Sequence, residues 1–176
     1  DEVKHFVGGD PVLSRIAVIA KMRNGKWKKR IVIDSKRSKV SKATRKFERV
    51  LLPRATDVVY DLMDLLAQAT SDQEVPKDLT VQFLVADYRD AFFIVPNDPA
   101  ERRWFVVQFR GRYYIFVRTT QGSRSAPLTW ARTAALTTRL TQSVVDSRAA
   151  RLNTYVDDPL TTIVGTKATC NIKAAT

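Results

Sequence analysis

The chain has 176 residues, of which 44% are apolar, and this is the size and composition of an ordinary globular domain. It carries 30 Lys and Arg against 18 Asp and Glu, a formal net charge of +12. One cysteine (Cys170) and one histidine (His5) exclude an internal disulfide and a His-rich zinc site, and they argue against a histidine-dependent catalytic triad. No run of 18 apolar residues is present, so no membrane span is expected. Any chemistry in this chain must therefore depend on carboxylates.

The excess positive charge lies almost entirely in one segment. Residues 21–49 contain thirteen basic and two acidic side chains. The apolar stretch IVI at 31–33 interrupts this segment, so it has the pattern of a folded surface rather than of a charged tail. A concentrated basic surface favours a polyanion, either a nucleic acid backbone or a triphosphate. The alternative interpretation is a solvated lysine-rich face without a ligand.

The first half of the chain predicts strands followed by a helix. The apolar residues 11–20 fit a strand or a short helix, and their length does not decide between them. Residues 28–35 are rich in β-branched side chains and predict a strand. Apolar residues recur at helical spacing over 55–69, after Pro53 and with Asp57 in the first turn, both typical of a helix start.

The next segment predicts a buried strand and a hairpin. Residues 80–88 form a nearly continuous apolar run that ends near an aspartate, the pattern of a strand buried on both faces. Residues 97–102 predict a turn. The stretches WFVVQF and YYIFV then predict a hairpin with Gly111 at its turn.

The last segment predicts a helix and a second hairpin. Pro127 suits a helix N-terminus, and the apolar spacing predicts a helix over 128–145. The strands LNTYV and PLTTIVG flank a turn at Asp157–Asp158. Strand, hairpin, helix and hairpin in this order indicate an α+β fold with an antiparallel sheet.

Two acidic clusters stand at predicted strand ends. Asp87 and Asp90 lie in VADYRD, and Asp157 and Asp158 lie in YVDD. If the two strands are neighbours in one sheet, Asp87 and Asp157 come close together at the same edge. Carboxylate oxygens without nitrogen or sulfur suit Mg²⁺, and a pair of such ions ~3.5–4 Å apart serves in-line phosphoryl transfer. The alternative for the adjacent aspartates is a plain exposed turn.

Four motifs occur in an order that resembles a known family. The chain contains RIVIDSK, LVADYRDAFF, QGSRSAP and YVDD, between about residues 20 and 165. Together they resemble the fingers and palm of reverse transcriptases from retroviruses and retrotransposons. The resemblance implies an α+β fold in which a polymerase palm, an antiparallel sheet backed by helices, is joined to a basic fingers subdomain.

The resemblance also implies catalytic residues. Asp87, Asp157 and Asp158 match the family's catalytic metal ligands, and the backbone carbonyl of Tyr88 is expected to join them. The implied cofactor is a pair of Mg²⁺ ions, with Mn²⁺ as a possible substitute.

A nucleotide pocket follows from the same motifs. Phe92 matches the aromatic side chain that excludes a ribose 2′-hydroxyl, which implies deoxynucleoside triphosphates as substrates; core packing is the alternative for this ring. The residues implied to bind the nucleotide are Arg30, Asp90, Ala91, Phe92, Gln121 and Gly122.

Nucleic acid contacts are expected from the basic segment. A second cation for the triphosphate could be Lys21, Arg23 or Lys26, and the motif does not decide among them. Where the family usually has Arg two residues after the strand aspartate, this chain has Lys36. The residues expected to contact an RNA or DNA template with its primer are Lys26, Lys28, Lys29, Lys36 and Arg37.

The expected domain organisation alternates between the two parts. We expect fingers at 1–79 and 98–122 and palm at 80–97 and 123–176, with the second palm part truncated and the thumb absent. The chain is thus expected to be either a fragment or a truncated element product, and thumb, ribonuclease H and integrase regions of a longer polyprotein could be its partners. The sequence does not identify the compartment, since retroelement polymerases work in cytoplasmic particles or at nuclear DNA.

Two alternatives to a reverse transcriptase stay open at this stage. An RNA-templated RNA polymerase could share the same palm, and the residue at position 92 would discriminate between the two. A non-catalytic nucleic-acid-binding remnant of a retroelement would bind nucleic acid without Mg²⁺-dependent extension.

Overall fold

The computed structural model describes residues 2–71 and 75–170, so residues 1, 72–74 and 171–176 of the expected domains lie outside it. Within that range the chain combines helices and strands, and residues 167–170 after the last strand are also helical. In chain order these are α1 (Glu2–Val7), β1 (Leu13–Arg23), β2 (Lys26–Asp34), α2 (Val40–Ala43), α3 (Ala55–Thr70), β3 (Leu79–Val85), α4 (Ala91–Ile94), the 3₁₀ helix (Pro99–Trp104), β4 (Val106–Phe109), β5 (Arg112–Ile115), α5 (Ala126–Val144), β6 (Ala150–Tyr155) and β7 (Asp158–Thr166).

The chain divides into two compact units, each built from two separate stretches. The first unit comprises Asp1–Arg49 and Asp90–Trp130, and the second comprises Val50–Arg89 and Ala131–Thr176. Strand pairing explains this division, because β4 pairs with β1 across the sequence while β3 pairs with β7. The divisions therefore lie at other positions than those expected from the motifs, and the names fingers and palm stay a prediction.

The first unit is organised by a four-stranded mixed sheet in the order β2-β1-β4-β5. β1 pairs antiparallel with β2 from Arg15 to Arg23, and it pairs parallel with β4 at Leu13 and Ser14. The remainder of β1 and β2 is a two-stranded ribbon, closed by a turn at Asn24–Gly25 where both φ angles are positive. Residues 11–20, for which the sequence allows a strand or a short helix, thus lie largely in the strand β1. The parallel pair also departs from the purely antiparallel sheet that the sequence predicts.

The hairpin expected around Gly111 is confirmed. β4 and β5 pair antiparallel, and Arg110 and Gly111 both have positive φ in the two-residue turn between them. Val106 and Val107 at the start of this hairpin are fully buried. The stretch 97–102, expected as a turn, lies largely in the 3₁₀ helix, whose start is capped by the Asp98 carboxylate accepting from the Ala100 amide at 2.8 Å.

The second unit has a three-stranded antiparallel sheet in the order β3-β7-β6. α3 packs against this sheet and buries Leu65 completely. Two hydrogen bonds join α3 to β6: Arg151 donates to Asp64 at 2.7 Å, and Asn153 donates to Asp61 at 2.6 Å. Hydrogen bonds from Gln68 and Arg151 lower the pKa of Asp64 below its ordinary value.

One burial expectation is wrong. β3 was expected to be buried on both faces, yet Phe83, Leu84 and Val85 are exposed. The reason is the sheet order, because among the described residues β3 is an edge strand that pairs with β7 alone. Apolar character alone does not distinguish a central strand from an edge strand with exposed apolar side chains.

The helix expected over 128–145 is observed as α5 from Ala126 to Val144. It begins in the first unit and continues in the second. In the second unit Thr138 shares a 2.5 Å hydrogen bond with Thr154, and Gln142 donates to the carbonyl of Ala150 at 3.1 Å. None of the helices in residues 2–71 and 75–170 is both long enough and apolar enough to cross a membrane.

Leu65→Ala should destabilise the second unit, because this side chain is completely buried and its removal leaves a cavity. The expected loss is ~2–5 kcal/mol, measured by urea unfolding. Leu140→Ala is the matched control, since Leu140 is 61% exposed on α5 and its loss should change stability by less than ~1 kcal/mol. Equal losses in the two variants would contradict the packing described here.

Candidate functional site

The pairing of β3 with β7 continues beyond the end of β3. Val85 pairs with Leu160, and past this point the Ala86 amide donates to the Pro159 carbonyl at 3.0 Å. The Tyr88 amide donates to the Asp157 carbonyl at 2.8 Å. This register places Asp87 directly opposite Asp158, and residues opposite each other in an antiparallel pair share one face. The strands that carry the two acidic clusters are therefore neighbours, as the sequence argument required, and the residue opposite Asp87 is Asp158 rather than Asp157.

The turn that presents the second cluster has a strained backbone. Val156 and Asp157 are the turn residues of the β6–β7 hairpin, and Asp158 is already the first residue of β7. Val156 has φ of 58°, which is rare for a β-branched residue and costs ~1–3 kcal/mol. Such strain persists only where the surroundings enforce it, here the β6–β7 pairing that continues to Tyr155 and Asp158.

The donor chemistry at this sheet end fits a hard divalent cation. Asp87 and Asp158 are exposed and Asp157 is partly buried, so their carboxylates are accessible to an ion. Over residues 2–71 and 75–170, no group of three or more His, Cys, Asp or Glu side chains is arranged to hold a metal. Mg²⁺ is usually bound through one or two protein carboxylates, with waters and substrate phosphates as its other ligands. The residues present are compatible with that mode of binding, in which the substrate completes the site.

Two residues that are predicted to bind the nucleotide, Gln121 and Gly122, lie in a loop that is hydrogen-bonded to β2 and the turn after it in the first unit. The Gln121 carbonyl accepts from the Ile33 amide at 3.0 Å, and the Gly122 carbonyl accepts from the Ser35 hydroxyl at 2.6 Å. No sequence signal indicates the role of Ser35, because a serine in a strand-to-turn segment is too common to stand out. The loop therefore continues the edge of the first unit's sheet next to Arg30.

Gly122 is required by a close backbone approach. It has φ of +98°, and a Cβ at this position would lie 2.1 Å from the Ile33 carbonyl oxygen and 2.9 Å from Cγ1 of Val32. Val32 and Arg30 project from the same face of β2, about 7 Å apart along the strand. The structure thus brings Arg30 and Gly122 to one face of β2. It also provides a reason for the glycine that does not involve a ligand.

The start of α4 and the residue before it, in the first unit, are predicted to bind the nucleotide. These residues are Asp90, Ala91 and Phe92. Asp90 precedes this helix with φ of 56°, Ala91 is buried and Phe92 is partly buried. The end of the helix is held by Arg118, which donates to the carbonyl of Ile94 at 2.6 Å.

Asn97 holds the chain that follows α4. Its side-chain amide donates to the carbonyls of Phe116 and Arg118 at 2.9 and 3.0 Å, and its carbonyl accepts from the Thr119 hydroxyl at 3.2 Å. This buried amide fixes the segment in place, and the sequence motifs did not single it out.

The register of the β1–β2 ribbon sorts the basic residues into faces. Arg23 pairs with Lys26, Lys21 with Lys28 and Ile19 with Arg30, so these side chains share one face. We call Lys21, Arg23, Lys26, Lys28 and Arg30 the basic face. Lys29 projects from the other face. Lys36 and Arg37 lie in the turn after β2, which the Asp34 carboxylate closes by accepting from the Arg37 amide at 3.0 Å.

The two units differ in net charge more strongly than the basic segment at 21–49 alone indicates. The first unit has 21 Lys and Arg against 8 Asp and Glu, a formal charge of +13, and the second has 9 against 10, a charge of −1. The sequence reveals the basic segment at 21–49, but only the strand pairing assigns the later arginines 102, 103, 110, 112, 118 and 124 to the same unit. All of the excess positive charge therefore belongs to the unit that holds the ribbon.

Comparison with solved structures identifies the fold. A foamy viral protease–reverse transcriptase solved in complex with double-stranded DNA matches with a TM-score of 0.58 and 17% identity, over 93% of this chain and 23% of that chain. The native protease–reverse transcriptase of prototype foamy virus matches with a TM-score of 0.55 and 16% identity, over 93% and 18%. This chain therefore has a reverse-transcriptase-like fold, and it spans about a quarter or less of these two proteins.

Sequence comparisons add no family assignment. No family model matches the chain, and no curated protein matches it. Identities of 16–17% establish the fold alone.

Gly122→Ala should destabilise the first unit, because the added methyl group collides with the Ile33 carbonyl. The expected loss of unfolding free energy exceeds ~2 kcal/mol, measured by urea unfolding. Gly25→Ala is the matched control: Gly25 has φ of +73° with open space around its Cβ position, so it should show only the ~1–2 kcal/mol cost of the left-handed conformation. Equal losses would show that the approach to β2 is not what requires glycine at position 122.

Proposed function

We propose that the chain is the core of an RNA-directed DNA polymerase from a retroelement, which transfers deoxynucleotides to a primer 3′-hydroxyl. The observation that carries this proposal is the extended β3–β7 pairing, which sets Asp87 opposite Asp158 beside the strained YVDD turn. A plain exposed turn does not require an aspartate on the neighbouring strand or a valine with positive φ. The reverse-transcriptase-like fold supports the same assignment.

In this proposal Asp87, Asp157 and Asp158, together with the Tyr88 carbonyl, would hold two Mg²⁺ ions, or Mn²⁺ in their place. Bound Mg²⁺ would supply positive charge to the attacking and leaving oxygens of an in-line displacement. The primer 3′-hydroxyl loses its proton to solvent as its oxygen forms a bond to the α-phosphorus of the deoxynucleoside triphosphate, the bond to the bridging oxygen breaks, and pyrophosphate leaves. The carboxylates contribute by fixing the positions of charge, so that little reorganisation is needed during the reaction.

Residues of the first unit would bind the incoming nucleotide. Arg30 presents a planar donor fork suited to phosphate oxygens, and it shares a face of β2 with the Gly122 loop. The Gln121 side chain is partly buried and makes no hydrogen bond to another described residue, so its amide is available to a ligand. The backbone amides of Asp90 and Ala91 would approach the triphosphate, and Phe92 would contact the sugar.

The partner would be a primer–template of RNA or DNA, bound mainly through its phosphates. The first unit's charge of +13 supports this, and one of the similar solved proteins was determined in complex with double-stranded DNA. Lys26, Lys28, Lys36 and Arg37 are the proposed contacts, with Lys29 on the opposite face of the ribbon. Thumb, ribonuclease H and integrase regions would belong to other parts of a longer polyprotein.

A second candidate function is nucleic acid binding without catalysis. It is favoured by the charge of the first unit, +13, which suits a polyanion whether or not a reaction follows. Such a protein would bind nucleic acid with strong salt dependence and would not extend a primer.

Asp157→Asn should reduce Mg²⁺-dependent primer extension on an RNA template by at least ~100-fold, because it removes a charged metal ligand. The measurement is product length against time at saturating deoxynucleotides, with the longer reading frame tested beside this chain. Asp78→Asn is the control, since Asp78 is an exposed aspartate in the turn before β3 of the same unit. Unchanged extension in Asp157→Asn would overturn the polymerase proposal, and salt-dependent binding without any extension by the wild type would favour the second candidate.

Phe92→Ala should admit ribonucleotides, because it removes the ring proposed to collide with a 2′-hydroxyl. We expect the ratio of kcat/KM for deoxynucleotides over ribonucleotides to fall by ~10- to 200-fold. Phe93→Ala is the matched control, since the neighbouring ring is also partly buried in α4 and has no proposed contact with the sugar. A wild type that already uses both nucleotides equally well would instead indicate an RNA polymerase.

A further inference from the structure

The β1–β2 ribbon exposes an apolar face that the proposed polymerase does not use. Every residue from Ala17 to Ile31 is exposed, because beyond Ser14 neither β1 nor β2 has a further strand over this stretch. Trp27 is 63% exposed and Met22, directly opposite it, is 55% exposed. Val18 and Ile31 form the next exposed pair on this face. We call Val18, Met22, Trp27 and Ile31 the apolar face.

The surroundings of this face are uniformly positive. No Asp or Glu occurs between Asp10 and Asp34, while seven Lys and Arg do. Two pairs on the basic face, Arg23 with Lys26 and Lys21 with Lys28, oppose like charges directly, which destabilises a two-stranded ribbon. In the part of the chain that the structure describes, none of these four cations forms an ion pair.

This unrelieved repulsion indicates a polyanionic partner. A polyanion would neutralise the like charges and stabilise the ribbon, whereas an apolar protein surface would cover Trp27 and leave the charges opposed. Trp27 stands between Lys26 and Lys28 in sequence, and Lys29 projects from its own face about 7 Å away. An exposed aromatic ring with Lys29 on its own face, and with the basic face on the other side of a two-stranded ribbon, suits single-stranded nucleic acid, with a base on the ring and phosphates on the cations.

We propose that Trp27 is a stacking platform for an unpaired base of single-stranded nucleic acid, held by Lys29 and the cations of the ribbon. The site depends on the proposed function only in taking nucleic acid as its partner. It requires neither a metal nor a nucleotide. A duplex hides its base faces, so it offers the ring nothing to stack on and would contact only the cations.

Trp27→Ala should weaken binding of a (dT)12 oligonucleotide by ~5- to 150-fold, the effect of losing one stacked base at ~1–3 kcal/mol. Binding is measured by fluorescence anisotropy of the labelled oligonucleotide, without Mg²⁺ or nucleotides, over a range of salt concentrations. The slope of log affinity against log salt should stay unchanged, because the phosphate contacts remain. Binding of a 12-base-pair duplex should change by less than twofold.

Two variants separate stacking from damage to the fold. Trp27→Phe keeps an aromatic ring and should restore most of the (dT)12 affinity. Tyr60→Ala removes an aromatic ring that is 68% exposed in the second unit, and it should leave (dT)12 affinity unchanged. Trp27 is also the most exposed of the three tryptophans, so its fluorescence, isolated as the difference between wild type and Trp27→Phe, should be quenched by (dT)12.

Several results would overturn the platform. Equal affinity of wild type and Trp27→Ala for (dT)12 would do so, as would an equal loss for single strand and duplex. A Trp27→Ala variant that dissociates a wild-type dimer at unchanged (dT)12 affinity would assign the apolar face to a second copy of the chain. The polymerase proposal is tested separately, since Asp157→Asn should bind (dT)12 as the wild type does, whether or not the chain extends primers.

Discussion

The hydrogen bond from the Tyr88 amide to the Asp157 carbonyl is the constraint on which the candidate site depends. It extends the β3–β7 pairing past the last residue of β3, into a stretch that would otherwise be a free loop. Asp87 is fixed between this bond and the one from Ala86 to Pro159, so its position relative to Asp158 follows from backbone geometry alone. The positive φ of Val156 is the local cost of ending β6 and starting β7 within two residues.

Two opposed carboxylates on one face repel each other, and their proximity is a stable arrangement only with a cation or with water between them. A basic side chain nearby would relieve this repulsion. Elsewhere in the second unit such a partner is present, since Arg151 forms an ion pair with Asp64. Within the described residues no ion pair is formed at Asp87, Asp157 or Asp158. The second unit thus contains both a carboxylate with a basic partner and three acidic residues without an ion pair to a described residue.

The sequence predicts the elements well where a local signal exists. The hairpin at Gly111 and the helix after Pro127 each carry such a signal, and both are observed close to the expected bounds. The neighbouring position of the two acidic strands also follows from the motifs. What the sequence does not predict depends on non-local pairing: the exposure of Phe83 on an edge strand, the parallel pair of β1 with β4, and the positions at which the two units divide.

The role of glycine at position 122 illustrates why a motif can be correctly located and incompletely explained. A glycine in a loop before a helix suggests room for a ligand, and the structure shows that the space is already filled by the Ile33 carbonyl. The close approach to β2 and a role in ligand binding can both require glycine at position 122. The contact with β2 limits how far the loop can move relative to Arg30. Two hydrogen bonds limit this movement further: the Gly122 carbonyl accepts from the Ser35 hydroxyl, and the Gln121 carbonyl accepts from the Ile33 amide. A preorganised loop loses less entropy when it binds a ligand, so the packing that explains the glycine is also consistent with the proposal that Arg30 and this loop bind a nucleotide.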